Sequence, residues 1–167
     1  MNNSHRLNNY SVLNSENIWK YVVIAARIFF GGHAFLSGMN YFVEYFPLPN
    51  VVHPIAGPFV DSLTNMGLFP YIKAVEAIVG VCLLTNRLVP LALLLELPTS
   101  IVIFYMSAIV VQSERSMFTG PRELLLNLFL IAAYAGYYVQ ILAVKSDLKP
   151  LWHLGERLTE LKKTNNL

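Results

Sequence analysis

Four apolar segments follow one another along the chain, separated by shorter polar or proline-rich stretches. They cover about residues 18–46, 70–85, 88–111 and 121–144. A membrane-spanning helix needs roughly 20 mainly apolar residues at a rise of about 1.5 Å each. The first, third and fourth segments reach that length, and the second reaches it only with its flanking residues. This pattern predicts an all-α polytopic membrane protein, folded as a four-transmembrane-helix antiparallel bundle.

The prolines agree with these boundaries, with one exception. Pro70, Pro90 and Pro121 fall at the predicted starts of segments, where the missing N–H costs little. Pro98 lies in the middle of the third segment. It is expected to kink that helix and to free the carbonyl of Leu94, which then needs a donor from a neighbouring helix or water.

The rest of the chain divides around this domain. Residues 1–17 are predicted to be a polar cytoplasmic segment, residues 18–144 the four-helix transmembrane domain, and residues 145–167 a cytoplasmic, amphipathic, basic tail. The stretch 47–69 reads as an external loop that contains a short helix near 59–66.

Composition and charge narrow the class of protein. Apolar residues make up 55% of the chain and charged residues 13%, whereas soluble domains contain about 25% charged residues. The formal net charge of +2 gives no basic face for nucleic acid. The partner that composition predicts is therefore the lipid bilayer, and not a nucleic acid.

The distribution of lysine and arginine along the chain predicts its orientation in the membrane. An even number of crossings places both termini on one side, together with eight basic residues: Arg6, Lys20, Arg87, Lys145, Lys149, Arg157, Lys162 and Lys163. The other side would carry only Lys73, Arg115 and Arg122. We therefore expect a plasma (inner) membrane protein with cytoplasmic termini. The polar first 18 residues predict a retained signal-anchor rather than a cleaved signal peptide.

Ionisable side chains inside the apolar segments are the main functional signal. Five of them occur: Arg27, His33, Glu76, Glu96 and Glu123. A charge at the bilayer centre costs about 2.5–3.5 kcal/mol on insertion scales, so such groups pair or line a wet cavity. With Asn127 they form the predicted ligand-binding site or proton relay. The other interpretation is that these groups only organise the bundle, without turnover.

Depth along the segments predicts how the charges pair. Arg27 and Glu96 lie at similar distances from the cytoplasmic ends of their segments, and Glu76 is the competing carboxylate for Arg27. Lys73 and Glu123 are both expected near the outer surface, where they could pair. The acids outnumber the one deep arginine, so the surplus acid is expected to be partly neutral and able to exchange protons.

Small and polar residues at helical spacing indicate which faces point inward. The first segment has such a stripe at Arg27, Gly31, Ala34 and Gly38, and small residues allow a second helix to approach closely. The other three segments have comparable polar stripes: Lys73, Glu76, Ala77 and Gly80; Glu96, Thr99, Ser100 and Ser107; and Glu123, Asn127, Tyr134 and Tyr137.

The sequence lacks the residues that several other kinds of chemistry require. Cys82 is the single cysteine, which excludes an intramolecular disulfide and a CxxC relay. His33 is the one histidine inside a segment, so haem with two histidine ligands from one subunit is not expected. No nucleotide, zinc-protease or serine-hydrolase motif occurs, and we expect no metal site.

These residues resemble the DoxX family of small four-helix membrane proteins, over roughly residues 20–145. The resemblance rests on Arg27 followed by GGHAFLSG, on Glu76, Gly80, Leu83 and Arg87 in the second segment, and on Arg122-Glu123 followed by Asn127 in the fourth. Some members of that family resemble subunits of quinone-linked oxidation complexes, and others resemble accessory or chaperone-like membrane proteins.

The resemblance implies an accessory subunit of a quinone-linked membrane redox system, which binds a small amphipathic molecule in its polar interior. The cofactor implied is a quinone, and the partner is a redox subunit or a second copy of this chain. A structural or chaperone-like protein without turnover, or a small transporter, are the alternatives. The sequence leaves open whether the chain is an enzyme.

Overall fold

A computed structural model describes residues 3–47, 52–139 and 159, with side chains from residue 16 onward. Within these ranges the chain is helical and contains no strand. The helices are α1 (Asn3–Val43), α2 (Ala56–Asn65), α3 (Leu68–Leu84), α4 (Val89–Phe104) and α5 (Glu114–Ala133). A π-helical segment, Tyr105–Val111, continues α4, and a 3₁₀ turn, Ala135–Tyr137, follows α5. The all-helical class is confirmed for the described residues.

Glycines on both helices bring α1 and α3 into close contact. A Cβ on Gly38 would lie 2.5 Å from the backbone nitrogen of Ala77, and one on Gly80 would lie 2.4 Å from that of Phe35. Real Cβ atoms do not approach other atoms so closely, so neither position tolerates a side chain without a backbone shift. The predicted small-residue face of α1 is therefore a helix-packing face, and higher numbers in α1 meet lower numbers in α3.

The antiparallel arrangement of α1 and α3 continues through α4 and α5. A short turn, in which Asn86 and Leu88 both have positive φ, joins α3 to α4. Gly120 of α5 packs against Ser107 of the π segment, and Asn127 packs farther along α5 against Ser100. Neighbouring helices α1, α3, α4 and α5 thus run in alternating directions. Their buried apolar residues form one core: Phe30, Val79, Leu83, Val89, Ala92, Leu93 and Leu130.

The fourth predicted segment needs correction. The expected helix began at Pro121 and ran to residue 144, whereas α5 begins at Glu114, so Pro121 lies inside it, and it ends at Ala133. Ser113 caps α5, because its hydroxyl accepts from the backbone N–H of Ser116, whose own hydroxyl accepts from the Ser113 N–H. This reciprocal cap fixes the earlier start. Residues 140–144 lie outside the described part of the chain.

Two helical stretches of the described chain are long and apolar enough to cross a membrane, Glu16–Val43 and Val89–Val111. Counting α2 and α3 as one broken span gives up to three; these two helices meet at 91°. The structure thus supports a membrane protein with two or three candidate spans. α5 is 20 residues long, but its first half carries four charged side chains.

The segments outside this core bear on the other predictions. A short helix was predicted in the loop 47–69, and it exists as α2, although it begins at Ala56, earlier than expected. The backbone of α1 is already helical from Asn3, inside the predicted 1–17 segment. The chain divides into two compact units, residues 1–137 and 138–167. The predicted tail, 145–167, lies outside the described residues except for Thr159.

Candidate functional site in the helix bundle

A network of charged and polar side chains joins α3 to α1. Lys73 and Glu76 are three residues apart on α3, which places them on one face. Lys73 Nζ donates to Glu76 Oε2 at 2.7 Å and to Ser37 Oγ of α1 at 3.0 Å. The Ser37 hydroxyl donates to the same carboxylate at 2.9 Å. The buried carboxylate of Glu76 is thus fully engaged by donors from two helices.

A second acid is paired between α1 and α5. His33 Nε2 lies 3.5 Å from Glu123 Oε2. The His33 side chain is 43% exposed, whereas that of Glu123 is 12% exposed, so the pair connects the bundle interior to its surface. The anticipated pairing of Lys73 with Glu123 is not formed, because each has a nearer partner.

Arg27 lacks the carboxylate partner that depth along the segments predicted. Its guanidinium donates to the side-chain carbonyl of Asn86 in the α3–α4 turn, and to the Tyr134 hydroxyl at 3.2 Å. The prediction of an ion pair with Glu96 or Glu76 is wrong for this structure. The physical reason is that Arg27 lies beside the turn that ends α3, where a loop amide reaches it first.

Asn127 binds the turn of α4 that precedes Pro98. In the amide orientation that satisfies its neighbours, Nδ2 lies 3.2 Å from the Leu93 carbonyl oxygen. Its Oδ1 then lies 3.1 Å from Ser100 Oγ and 3.3 Å from the Leu97 nitrogen. A single side chain of α5 therefore contacts polar groups of α4 on both sides of Pro98. α4 continues as a helix through Pro98.

Glu96 is the exception among the buried acids. Its side chain is 1% exposed, and both carboxyl oxygens are buried without a hydrogen-bond partner among the described residues. Glu76 and Glu123 both act on it electrostatically, as does Lys73. Glu96 therefore lies at an acidic centre, where its two oxygens have lost water and gained no donor from the described residues.

The predicted site residues thus form three groups rather than one. Glu76, Glu96 and Glu123 interact electrostatically, and His33 joins this group through Glu123. Arg27 belongs to a separate polar group with Asn86 and Tyr134. Asn127 of α5 packs against the buried face of α4, beside Ser100.

Sequence reasoning missed four partners: Ser37, Asn86, Ser100 and Tyr134. Ser100 and Tyr134 were on the predicted polar stripes without a role. Ser37 lies three residues after Ala34, at the edge of the predicted small-residue stripe of α1, so it could have been identified from that stripe. Asn86 carries no signal beyond its place in a turn, since any turn favours such a residue. The described residues contain no group of three or more potential metal ligands.

Comparisons of the chain with protein-family models, with curated proteins and with solved structures found no match.

Proposed function

We propose that this protein is a four-span membrane protein that binds a small amphipathic molecule through the acidic centre around Glu96. The two unpartnered oxygens of Glu96 carry this proposal. A buried polar atom without a partner costs about 1–3 kcal/mol. A ligand that donates a hydrogen bond there would remove this cost.

A quinol, the reduced and hydroxyl-bearing form of a quinone, is the class of amphipathic molecule that we propose for this centre. The DoxX resemblance points to the same class. The quinol hydroxyl would donate to Glu96, while the apolar ring and tail would lie among the helices. When bound, such a molecule supplies two-electron redox chemistry. The chain's own residues would bind and orient it, and the protein would act as an accessory subunit, with the electron acceptor or donor in a partner.

Native mass spectrometry of the purified protein tests this proposal. We expect a retained small molecule on the wild-type protein and on Glu16→Gln, which changes an exposed acid in the same way. Glu96→Gln should retain much less of it, and solvent extraction should yield a compound with quinone absorbance. Equal retention by both variants would contradict the site, and a compound without quinone absorbance would contradict the ligand class.

The four-span topology is part of the same proposal, with both termini in the cytoplasm. It is supported by the alternating helix directions and the distribution of basic residues. Cysteine labelling tests it in a Cys82→Ala background, with Ser4→Cys or Thr164→Cys on intact cells. We expect both positions to be protected until the cells are permeabilised, and labelling from outside would overturn the topology.

A structural role without turnover is the second candidate. It is favoured by the bonds that engage most of the other predicted site residues: Lys73 with Glu76, His33 with Glu123, and Arg27 with Asn86. Under this function Glu96→Gln leaves the partner system active, and no bound molecule is found. The same mass-spectrometry experiment therefore distinguishes the two.

A further inference from the structure

Arg122 of α5 is a charged side chain without a counter-ion in the described part of the chain. Its guanidinium makes no hydrogen bond or ion pair there, and its Nε is buried and unpartnered. Two aromatic rings flank it, Phe29 of α1 at 5.5 Å and Phe118 of α5 at 5.8 Å. Arginine stays protonated in proteins, so the rings hold a permanent cation in place without neutralising it.

The acidic residues of α3 and α5 are bonded to other groups or lie far from Arg122 in the sequence. Its sequence neighbour Glu123 is bonded to His33, and Glu76 is bonded to Lys73. Glu114 is eight residues away, at the exposed first turn of α5. No carboxylate of α3 or α5 therefore pairs with the Arg122 guanidinium.

An apolar groove lies directly beside this cation. It has a volume of about 390 Å³, and its lining consists of Met117, Phe118, Pro121, Arg122, Leu125 and Leu126. Arg122 is the only charged member of this lining. The groove is on the outside of α5, so in a membrane protein it faces the lipid, and its hydrocarbon lining matches an acyl chain.

Arg115 continues the positive charge toward the start of α5. It is exposed and lies seven residues before Arg122, which places both on one helical face. Arg122 is about 12 Å along the helix from Glu114, at 1.5 Å per residue. Helical side chains lean toward the helix N-terminus, and the contact with Phe118 shows Arg122 doing so. Both cations therefore reach toward the Glu114 end of α5, which the proposed topology places at the headgroup level.

We infer that this face of α5 is a binding site for an anionic phospholipid. A phosphate oxygen accepts hydrogen bonds from the guanidinium of Arg122, with Arg115 adding attraction nearer the interface, and an acyl chain fills the groove. A free phosphate would gain the charge interaction but bury no hydrocarbon, so the apolar lining favours the lipid. This site is separate from Glu96: it rests on the proposed membrane topology but not on ligand binding at Glu96.

Lipid titration of the full chain in detergent, followed by native mass spectrometry, tests this site. The probes are phosphatidylglycerol and phosphatidylcholine with matched acyl chains, and inorganic phosphate alone. We expect the wild-type protein to prefer phosphatidylglycerol, and Arg122→Gln to weaken its binding roughly tenfold, the size of one charge-assisted hydrogen bond. Arg87→Gln removes the same charge at the far end of α3 and should change nothing.

Three results would overturn the inference: equal binding of the two lipids by wild type, equal loss in Arg122→Gln and Arg87→Gln, or equally tight binding of inorganic phosphate. Should Arg122→Gln fail to fold, the wild-type protein still decides the matter. A photoactivatable phosphatidylglycerol should then crosslink to peptides covering residues 115–126. Crosslinks confined to other peptides would contradict the site.

Discussion

The α1–α3 and α4–α5 interfaces both bury polar side chains, but they treat their acids differently. Between α1 and α3, the carboxylate of Glu76 receives donors from Lys73 and Ser37. Between α4 and α5, the Ser100 hydroxyl donates to the Asn127 amide oxygen, while Glu96, one turn before Ser100, has no partner among the described residues. At the first interface the carboxylate of Glu76 bonds to groups on two helices, whereas at the second the carboxyl group of Glu96 bonds to neither helix.

This difference distinguishes a buried acid that stabilises the fold from a buried acid that does not. An ion pair with additional hydrogen bonds offsets much of its own desolvation cost. An acid without donors does not, so it weakens the fold unless something else binds it. The comparison therefore predicts opposite responses to mutation at Glu76 and Glu96, two residues that resemble each other in the sequence.

The largest effect is expected from breaking the α3 ion pair. Lys73→Met leaves the Glu76 carboxylate buried with only Ser37 as a donor. Removing one partner of a buried pair typically costs about 3–5 kcal/mol, and because the Lys73 side chain is 16% exposed we expect about 3 kcal/mol. Thermal unfolding in detergent measures this loss.

The double variant Lys73→Met/Glu76→Leu serves as its control. Since it removes both charges, it should recover a substantial part of the lost stability. A double variant as unstable as the sum of the two single variants would show that Lys73 and Glu76 do not act as a pair.

The glycine contact of the same interface should give the next largest effect. Gly80→Ala places a Cβ 2.4 Å from the backbone of Phe35, and overpacking of this kind costs about 1–3 kcal/mol. Gly32→Ala is the matched control, because a Cβ there meets nothing within 4 Å and alanine favours the helix. Unfolding curves should show Gly80→Ala below wild type and Gly32→Ala at or above it.

The α1–α3 interface was the part of the molecule most accessible from sequence. Gly31, Ala34 and Gly38 recur at helical spacing, and such a pattern constrains a helix face directly. The start of α5 was missed because Ser113 and Ser116 form a cap through two hydroxyls. The usual sequence signature of that cap has Glu or Gln in the second position.

On the second interface, Asn127→Leu should give a moderate loss. It removes the amide that contacts the Ser100 hydroxyl and the Leu93 carbonyl on the buried face of α4. Each unsatisfied buried group costs about 1–3 kcal/mol, and relaxation of α4 should keep the total near 2 kcal/mol. Denaturant unfolding of Asn127→Leu measures this, with Leu128→Ala, at an exposed neighbour, as the control.

A smaller effect should appear as coupling between Arg27 and Tyr134. A double-mutant cycle with Arg27→Leu and Tyr134→Phe is expected to show about 0.5–1.5 kcal/mol of interaction, the net value of one hydrogen bond. The cycle of Arg27→Leu with Glu96→Leu should be additive, because the structure shows no contact between these side chains. Coupling between Arg27 and Glu96, without coupling between Arg27 and Tyr134, would contradict these contacts and support the ion pair that the sequence predicted.

The candidate site was predicted from sequence as a set of residues but not as an arrangement. Buried charges are visible as breaks in apolar segments, which is why Glu76, Glu96 and Glu123 could be identified. Their partners depend on how far each helix extends past its neighbours. Arg27 shows this most clearly, since equal distance from predicted segment ends placed it beside Glu96 rather than beside Asn86.

The most direct test of the account is the unfolding free energy of Glu96→Leu beside that of Glu76→Leu. If Glu96 is kept for binding and contributes nothing to the fold, the unfolding free energy of Glu96→Leu should lie within about 0.5 kcal/mol of the wild-type value or above it, because the substitution removes two buried oxygens that have no partner among the described residues. Glu76→Leu should be clearly less stable, because it strands Lys73. A loss in Glu96→Leu as large as that in Glu76→Leu would contradict the account.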